Sequence, residues 1–160
     1  MVRRKGRGEL TGAEDPVIPE ARSEDAEFIA EIWLDAFKAT YRFPPAHADD
    51  DVRVWVRDIL LPETETWIAE GQPGVANGFI SIGERSIEQL YVSPGWTGRG
   101  VGSRLVRLAQ ARRPVGLELW TFQVNDGARR FYERHGFRAV EVTNGAGNEE
   151  RQPDVRYAWP

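Results

Sequence analysis

Three glycines at alternate positions, Gly98, Gly100 and Gly102, separate an apolar run ending at Leu90, Tyr91 and Val92 from a stripe made by Val101, Leu105, Leu108 and Ala109. The stripe recurs at i, i+4, i+7 and i+8 and predicts an amphipathic helix. Ile87 to Val92 reads as a strand that ends at the Pro94-Gly95 turn. Glycines where a helix begins let main-chain N–H groups approach a ligand closely, and the unpaired donors and dipole of the first turn favour an anion there. The chemistry predicted for Thr97, Gly98, Arg99, Gly100, Val101, Gly102 and Ser103 is therefore phosphate binding. A dinucleotide fingerprint would run Gly-x-Gly-x-x-Gly with an acidic residue ~20 positions on, and a nucleoside-triphosphate loop would end Gly-Lys-Ser/Thr. Neither pattern is present: Arg112, Arg113 and Pro114 follow the helix, and the chain's lysines are Lys5 and Lys38.

A second constellation lies downstream, Asn125-Asp-Gly-Ala128-Arg-Arg-Phe131-Tyr132-Glu-Arg-His-Gly136-Phe137. Taken together and in this order, the two segments resemble the GNAT superfamily of N-acetyltransferases. The segment from Thr97 to Gly102 matches that family's Gln/Arg-x-x-Gly-x-Gly/Ala signature at both glycines. Asn125, Ala128, Phe131, Tyr132, Gly136 and Phe137 match its Asn-x-x-Ala-x-x-Phe-Tyr-x-x-x-Gly-Phe signature. The resemblance is strong from Ile87 to Val142 and rests on pattern alone in the flanks. It implies acetyl-CoA as co-substrate, its pyrophosphate held by main-chain N–H groups of the glycine loop and its pantetheine arm paired to the edge of Leu90, Tyr91 and Val92. Asn125 and Ala128 would lie beside that arm, Asn125 orienting it or a bound water. Thr97 stands where the family carries Gln or Arg, so one side-chain contact to the pyrophosphate is expected to be weakened or altered. Tyr132 occupies the family's acid position, which gives a proton to the departing thiolate.

Acetyl transfer to an amine also needs a base, because an alkylamine with a pKa near ~10.4 is almost wholly protonated at neutral pH. Glu88 is the candidate: strand alternation puts it on the side of Leu90 and Val92, just upstream of the loop, where related enzymes often carry an acid. The expected activity is N-acetylation of a primary amine by direct attack in a ternary complex. The alternative is an acyl-CoA-binding sensor or regulatory domain of the same fold, without turnover. In this family the acceptor is set by the first helices and the loop after Thr143. Here those segments bring Tyr41, Phe43, Asp49 to Asp51 and Trp55, which suit a small-molecule amine or a peptide N-terminus.

Composition narrows the field further. The chain has 160 residues, 41% of them hydrophobic and 29% charged, enough for one domain with a real core. With 21 Lys and Arg against 25 Asp and Glu its net charge is −4, which gives no support for a nucleic-acid surface. There is no cysteine and only two histidines, His47 and His135, so neither a disulfide nor a zinc site is expected. No apolar run reaches the ~18 residues of a membrane span. The expected setting is cytoplasmic, without membrane or metal, and a homodimer is compatible with the resemblance. Residues 1–16, with the basic run Arg3-Arg-Lys-Gly-Arg7, are expected to form a flexible tail, and residues 17–160 a single domain.

The elements that must position these groups can be read from periodicity. Val17 to Ala21 suggests an opening strand. Ser23 is placed as an N-cap, with Phe28, Ile29, Ile32, Trp33, Ala36 and Phe37 forming a helical stripe. Asp49 to Asp51 opens a second helix carried by Val52, Trp55, Val56 and Ile59 and ended by Pro62. Strands are expected at Thr64 to Glu70, Val75 to Ile82 and Ser86 to Val92, and after the cofactor helix at Gly116 to Phe122. A helix from Asp126 to Arg134, stopped by Gly136, precedes strands from Phe137 to Thr143 and Asp154 to Trp159. Such mixing makes an α/β domain. The resemblance makes it a GNAT fold: one mixed central sheet, helices on both faces, and acetyl-CoA between splayed parallel strands beginning near Ser86 and Gly116.

Overall fold

The computed structural model describes residues 18–72 and 74–160. The expected tail lies outside them, as does Val17. What was expected as an opening strand reduces to one antiparallel bridge, Glu20 with Trp67, flanked by hydrogen bonds from Ala21 N–H to Thr66 C=O (2.8 Å) and from Ile68 N–H to Pro19 C=O (3.0 Å). A 3₁₀ turn at Ser23–Asp25 leads into helix α1 (Ala26–Thr40). Ser23 does not cap it. The Asp25 carboxylate instead accepts from Arg22 N–H at 2.7 Å and satisfies that donor directly.

Helix α2 (Asp49–Trp55) begins on its three aspartates, and Lys38 of α1 donates to both Asp49 carboxylate oxygens at 2.8 and 2.9 Å. The chain then widens into a π turn at Val56–Leu60 and closes with a last helical turn at Leu61–Glu63. Pro62 thus lies inside the final turn rather than stopping the helix one residue earlier. It lacks an N–H, and the widened turn falls just where an α-helical ladder would need that donor.

Strands β1 (Glu65–Gln72), β2 (Val75–Ile82) and β3 (Ile87–Val92) form one antiparallel sheet in sequence order. Neighbouring residues on its strands feed two different cores. Ile68 and Phe79 pack with Ile29, Trp33, Phe37 and Val56 of the first helical layer. Ala69, Ile80 and Ile82 pack on the opposite face with Val101, Leu105 and Val106 of helix α3 (Val101–Arg112). Period-two alternation on both faces explains why β2 is buried almost end to end.

The second half carries β4 (Leu117–Phe122), helix α4 (Asp126–Arg134), β5 (Arg138–Thr143) and β6 (Asp154–Trp159). Its strands make a separate antiparallel sheet in the order β4-β6-β5, the last strand inserting between the other two. The expectation of a single mixed sheet is therefore refined: two three-stranded antiparallel sheets meet at one parallel bridge, Ser86 with Glu118, made by Glu118 N–H to Arg85 C=O at 2.9 Å. Beyond that bridge, β3 and β4 share no ladder among the described residues.

Helix α4 ends as its sequence predicts. Gly136 adopts φ 87°, and the Phe137 and Gly136 N–H groups return to Tyr132 and Glu133 C=O, both at 3.1 Å. This is a Schellman closure, and Phe137 is thereby turned into the core.

Candidate active site

The two sheets part where the sequence placed its chemistry. A cleft of about 1090 Å³ opens there, lined by Leu90 and Val92 of β3, Leu119 to Phe122 of β4, the loop at Thr97 to Gly102, and Asn125, Ala128 and Tyr132 of the α4 segment. Among the described residues the β3 edge facing it has no strand partner past Ser86, so main-chain donors and acceptors at Leu90 to Val92 stand ready for an extended amide ligand.

The glycine loop is built for close approach. Gly98 and Gly100 adopt φ 74° and 85°, and a Cβ placed on either would meet nothing within 4 Å, so backbone conformation and not crowding selects glycine there. Gly100 is the N-cap of α3, which leaves the first-turn N–H groups of Val101, Gly102 and Ser103 without intrahelical acceptors. Gly102 has a different reason. Its absent side chain leaves room for the Phe131 ring, 3.2 Å from where a Cβ would sit, and so lets the start of α3 approach the middle of α4. Thr97 turns its hydroxyl inward, donating to Pro94 C=O at 3.2 Å, and Arg99 lies over the Trp96 ring at 4.9 Å. Trp96 lines the cleft half-buried. The fit to a pyrophosphate rests on the main chain, with Thr97 contributing to the turn.

Asn125 caps α4 by accepting from Ala128 N–H at 3.0 Å, and its amide donates to the Tyr41 hydroxyl at 2.9 Å. One asparagine thus ties the α4 start to the end of α1. Tyr132, about two turns further along α4, is 9% exposed, its ring packed on Phe131, Phe137 and Tyr157. Its hydroxyl makes no hydrogen bond to the described residues, yet no fully buried side-chain polar atom among them lacks a partner, so that oxygen reaches the cleft. Burial pushes the phenols of Tyr41, Tyr91 and Tyr132 above the ordinary tyrosine range, for Tyr132 and Tyr91 strongly. All three line the cleft.

Glu88 is not placed as alternation predicts. Ser81 pairs with Gln89 but Ile82 pairs with Ile87, so Glu88 is the extra residue of a β-bulge. Its side chain is exposed on the rim and accepts from the Ser86 hydroxyl at 2.5 Å. Gln89, next along, accepts from Trp33 Nε1–H at 3.0 Å and fixes β3 to α1. Three further carboxylates line the cleft, Glu141, Glu150 and Asp154, none of them singled out by motif or periodicity. Glu150 and Asp154 belong to the connection after Thr143 and the strand it enters, a segment whose irregular sequence carries no spacing signal. No group of three or more potential metal ligands occurs among the described residues, and no helix among them is long and apolar enough to cross a membrane.

The comparisons with known proteins agree on one family. A family model described as an acetyltransferase (GNAT) domain matches residues 62–139, a span that contains both the glycine loop and the Asn125 to Phe137 segment. The peptidyl-lysine N-acetyltransferase YiaC of Escherichia coli (strain K12) is 33% identical over 146 residues, covering 90% of this chain and 97% of YiaC. The solution structure of apo YjaB from Escherichia coli superposes with a TM-score of 0.75 at 26% identity, over 90% of this chain and 97% of that one. The crystal structure of the PaiA N-acetyltransferase from Thermoplasma acidophilum in complex with coenzyme A matches at a TM-score of 0.69 and 21% identity, over 89% and 97%, a likeness of fold. The chain belongs to the GNAT family of acetyltransferases, acyltransferases that use acetyl-CoA as co-substrate.

Proposed function

We propose that the protein moves the acetyl group of acetyl-CoA to the primary amine of an acceptor by direct attack in a ternary complex, and that the acceptor is a lysine side chain of a peptide or protein. The observation that carries this reading is the Tyr132 hydroxyl, unbonded to the protein and open to the cleft between the glycine loop and the free β3 edge. The acceptor class follows the relatives: YiaC and YjaB are both named peptidyl-lysine N-acetyltransferases, and YjaB is 31% identical over 125 residues.

In this reading the loop N–H groups hold the pyrophosphate and the β3 edge aligns the pantetheine arm, which brings the thioester beside Tyr132. The neutral amine attacks the thioester carbonyl carbon, and an N–C bond forms. The C–S bond then breaks with its electron pair leaving on sulfur. Burial keeps Tyr132 protonated throughout the working pH range, so a phenol proton is available to the departing thiolate. The attacking nitrogen, which must lose a proton as the amide forms, restores the phenol. Glu88, expected as the base, faces solvent on its bulge and in this reading carries the released proton on to bulk water.

Tyr132→Phe tests the assignment, since it keeps the ring and its packing. Turnover, followed as free thiol with lysine peptides, should fall ~10²-fold, within the range of a positioned acid, while acetyl-CoA binding by calorimetry stays as in the parent. Parental turnover in this variant would remove Tyr132 from the chemistry. Tight acetyl-CoA binding by the parent without thiol release for any amine would favour the sensor reading instead.

A further inference from the structure

Four carboxylates line the cleft, and three are committed within the fold. Glu88 is bonded to Ser86, as described above. Glu141 accepts from Arg156 Nε at 3.0 Å. Asp154, buried, accepts from the Thr143 hydroxyl and from Asn148 Nδ2 at 3.0 Å. The carboxylate of Glu150 accepts no hydrogen bond and joins no ion pair among the described residues, although it lines the cleft half-buried.

Its surroundings have one consistent character. Tyr41, Phe43 and Phe122 meet in a three-ring cluster with centroids 5.0 to 5.3 Å apart, and Tyr41 and Phe122 line the cleft as Glu150 does. Glu150 lines the same cleft as Tyr41, Tyr91 and Tyr132, and its negative charge adds to the burial that raises the Tyr41 and Tyr91 phenols. Aromatic faces suit an aliphatic stem and a cationic head, and an unpaired carboxylate beside them suits the charge.

The segment bearing Glu150 is held in place. Asn148 bridges Gln152 C=O at 2.7 Å and the Asp154 carboxylate, and its own carbonyl accepts from Gln152 N–H at 3.2 Å. His47 and Glu149 meet at 2.7 Å across 102 residues of chain, joining this loop to the one between α1 and α2. Arg151, next to Glu150, sits at φ 57°, a left-handed conformation that a non-glycine residue keeps only when its surroundings impose it.

We infer that Glu150 is the specificity-determining residue of the acceptor end: its carboxylate receives the lysine ammonium, with the methylene stem against Tyr41 and Phe122, and takes the proton that frees the amine to attack. The inference rests on the N-acetyltransferase reading and adds a residue to it. The ammonium N–H bond breaks and a carboxyl O–H forms. The nitrogen lone pair so released makes the new bond to the acetyl carbon, and the thiolate leaves as described for Tyr132.

The test uses the full chain loaded with coenzyme A and two heptapeptides that differ only at the central residue, lysine or norleucine, which keeps the aliphatic stem and lacks the ammonium. Calorimetry should show that Glu150→Gln weakens lysine-peptide binding at least tenfold and leaves norleucine-peptide and acetyl-CoA binding unchanged, with Glu150→Asp recovering part of the loss. With saturating lysine peptide and acetyl-CoA, thiol release by Glu150→Gln should fall by a further ~10²-fold, the contribution of a positioned base, while Glu88→Gln loses less. Parental lysine-peptide affinity in Glu150→Gln, or equal loss of both peptides, overturns the inference. If the parent prefers lysine through Glu150 but releases no thiol, the acetyl-transfer reading fails and the cation site stands.

Discussion

Gly100 offers a graded test of how the cofactor is held. It lies at φ 85°, ψ 1° as the N-cap of α3, with open space where a side chain would project. An L-residue there meets no neighbour, so the substitution acts through backbone conformation alone. Holding a non-glycine residue in the left-handed region costs about 1–2 kcal/mol, less for asparagine and more for a β-branched residue. If the free loop relaxes out of that conformation and acetyl-CoA requires it, the whole cost falls on binding. At ~1.4 kcal/mol per tenfold, the dissociation constant rises about 5- to 30-fold for Gly100→Ala. Gly100→Asn should lose less, and Gly100→Val at least tenfold. Calorimetric titration with acetyl-CoA measures the series, and thermal melts without ligand report what the fold retains. The order Gly, Asn, Ala, Val in affinity, with melting temperatures that change far less, is the expected result. Affinity equal to the parent's in Gly100→Val would mean that the loop N–H groups do not hold the pyrophosphate, whatever the fit of the cleft.

Two further outcomes follow from buried groups. The phenols of Tyr41, Tyr91 and Tyr132 are raised above the unfolded value of ~10, so the unfolded chain ionises first as pH rises. Their stabilising contribution is complete below about pH 10 and is lost above it; urea midpoints should therefore fall steeply between about pH 9.5 and 11.5, and less steeply in Tyr91→Phe. Asp154→Ala deprives the Thr143 hydroxyl and the Asn148 amide of their shared charged acceptor, and should lower stability by about 2–3 kcal/mol in urea titrations.

Much of the fold was readable because local rules and tertiary packing agree. The predicted bounds of β2, α4 and β6 coincide with the observed ones, and in each the chemistry of the ends and the apolar period point the same way. Asn125 starts α4 by accepting an N–H, Gly136 ends it at positive φ, and Tyr132 between them has no freedom to face elsewhere. The features that the structure alters or refines are the ones that periodicity cannot encode. A bulge adds one residue without changing composition, and that extra residue carried Glu88 from the expected face to the rim. The π turn before Pro62 is a change of hydrogen-bond step that leaves the apolar stripe intact. The division of one expected sheet into two turns on how far β3 and β4 stay paired after Ser86 and Glu118, a long-range property that neither strand's own sequence expresses.

The same contrast separates the two halves of the chemistry. Tyr132, the proposed acid, is carried by a helix whose register is fixed within a dozen or so residues, so a motif there is also a geometry. The carboxylate inferred to meet the amine comes from an irregular loop, and its place depends on partners that the chain brings together only after both sheets form: Asp154 at the start of β6, and His47 from the loop between α1 and α2. The residues proposed to hold the cofactor can thus be read along the chain, while those proposed to meet the acceptor need the fold. This division also leaves the acceptor end free to vary. Changing residues 144–153 alters charge and shape beside Tyr41 and Phe122 without touching the glycine loop, the β3 edge or the Tyr132 hydroxyl, so a new amine could be selected on an unchanged acetyl-transfer machinery.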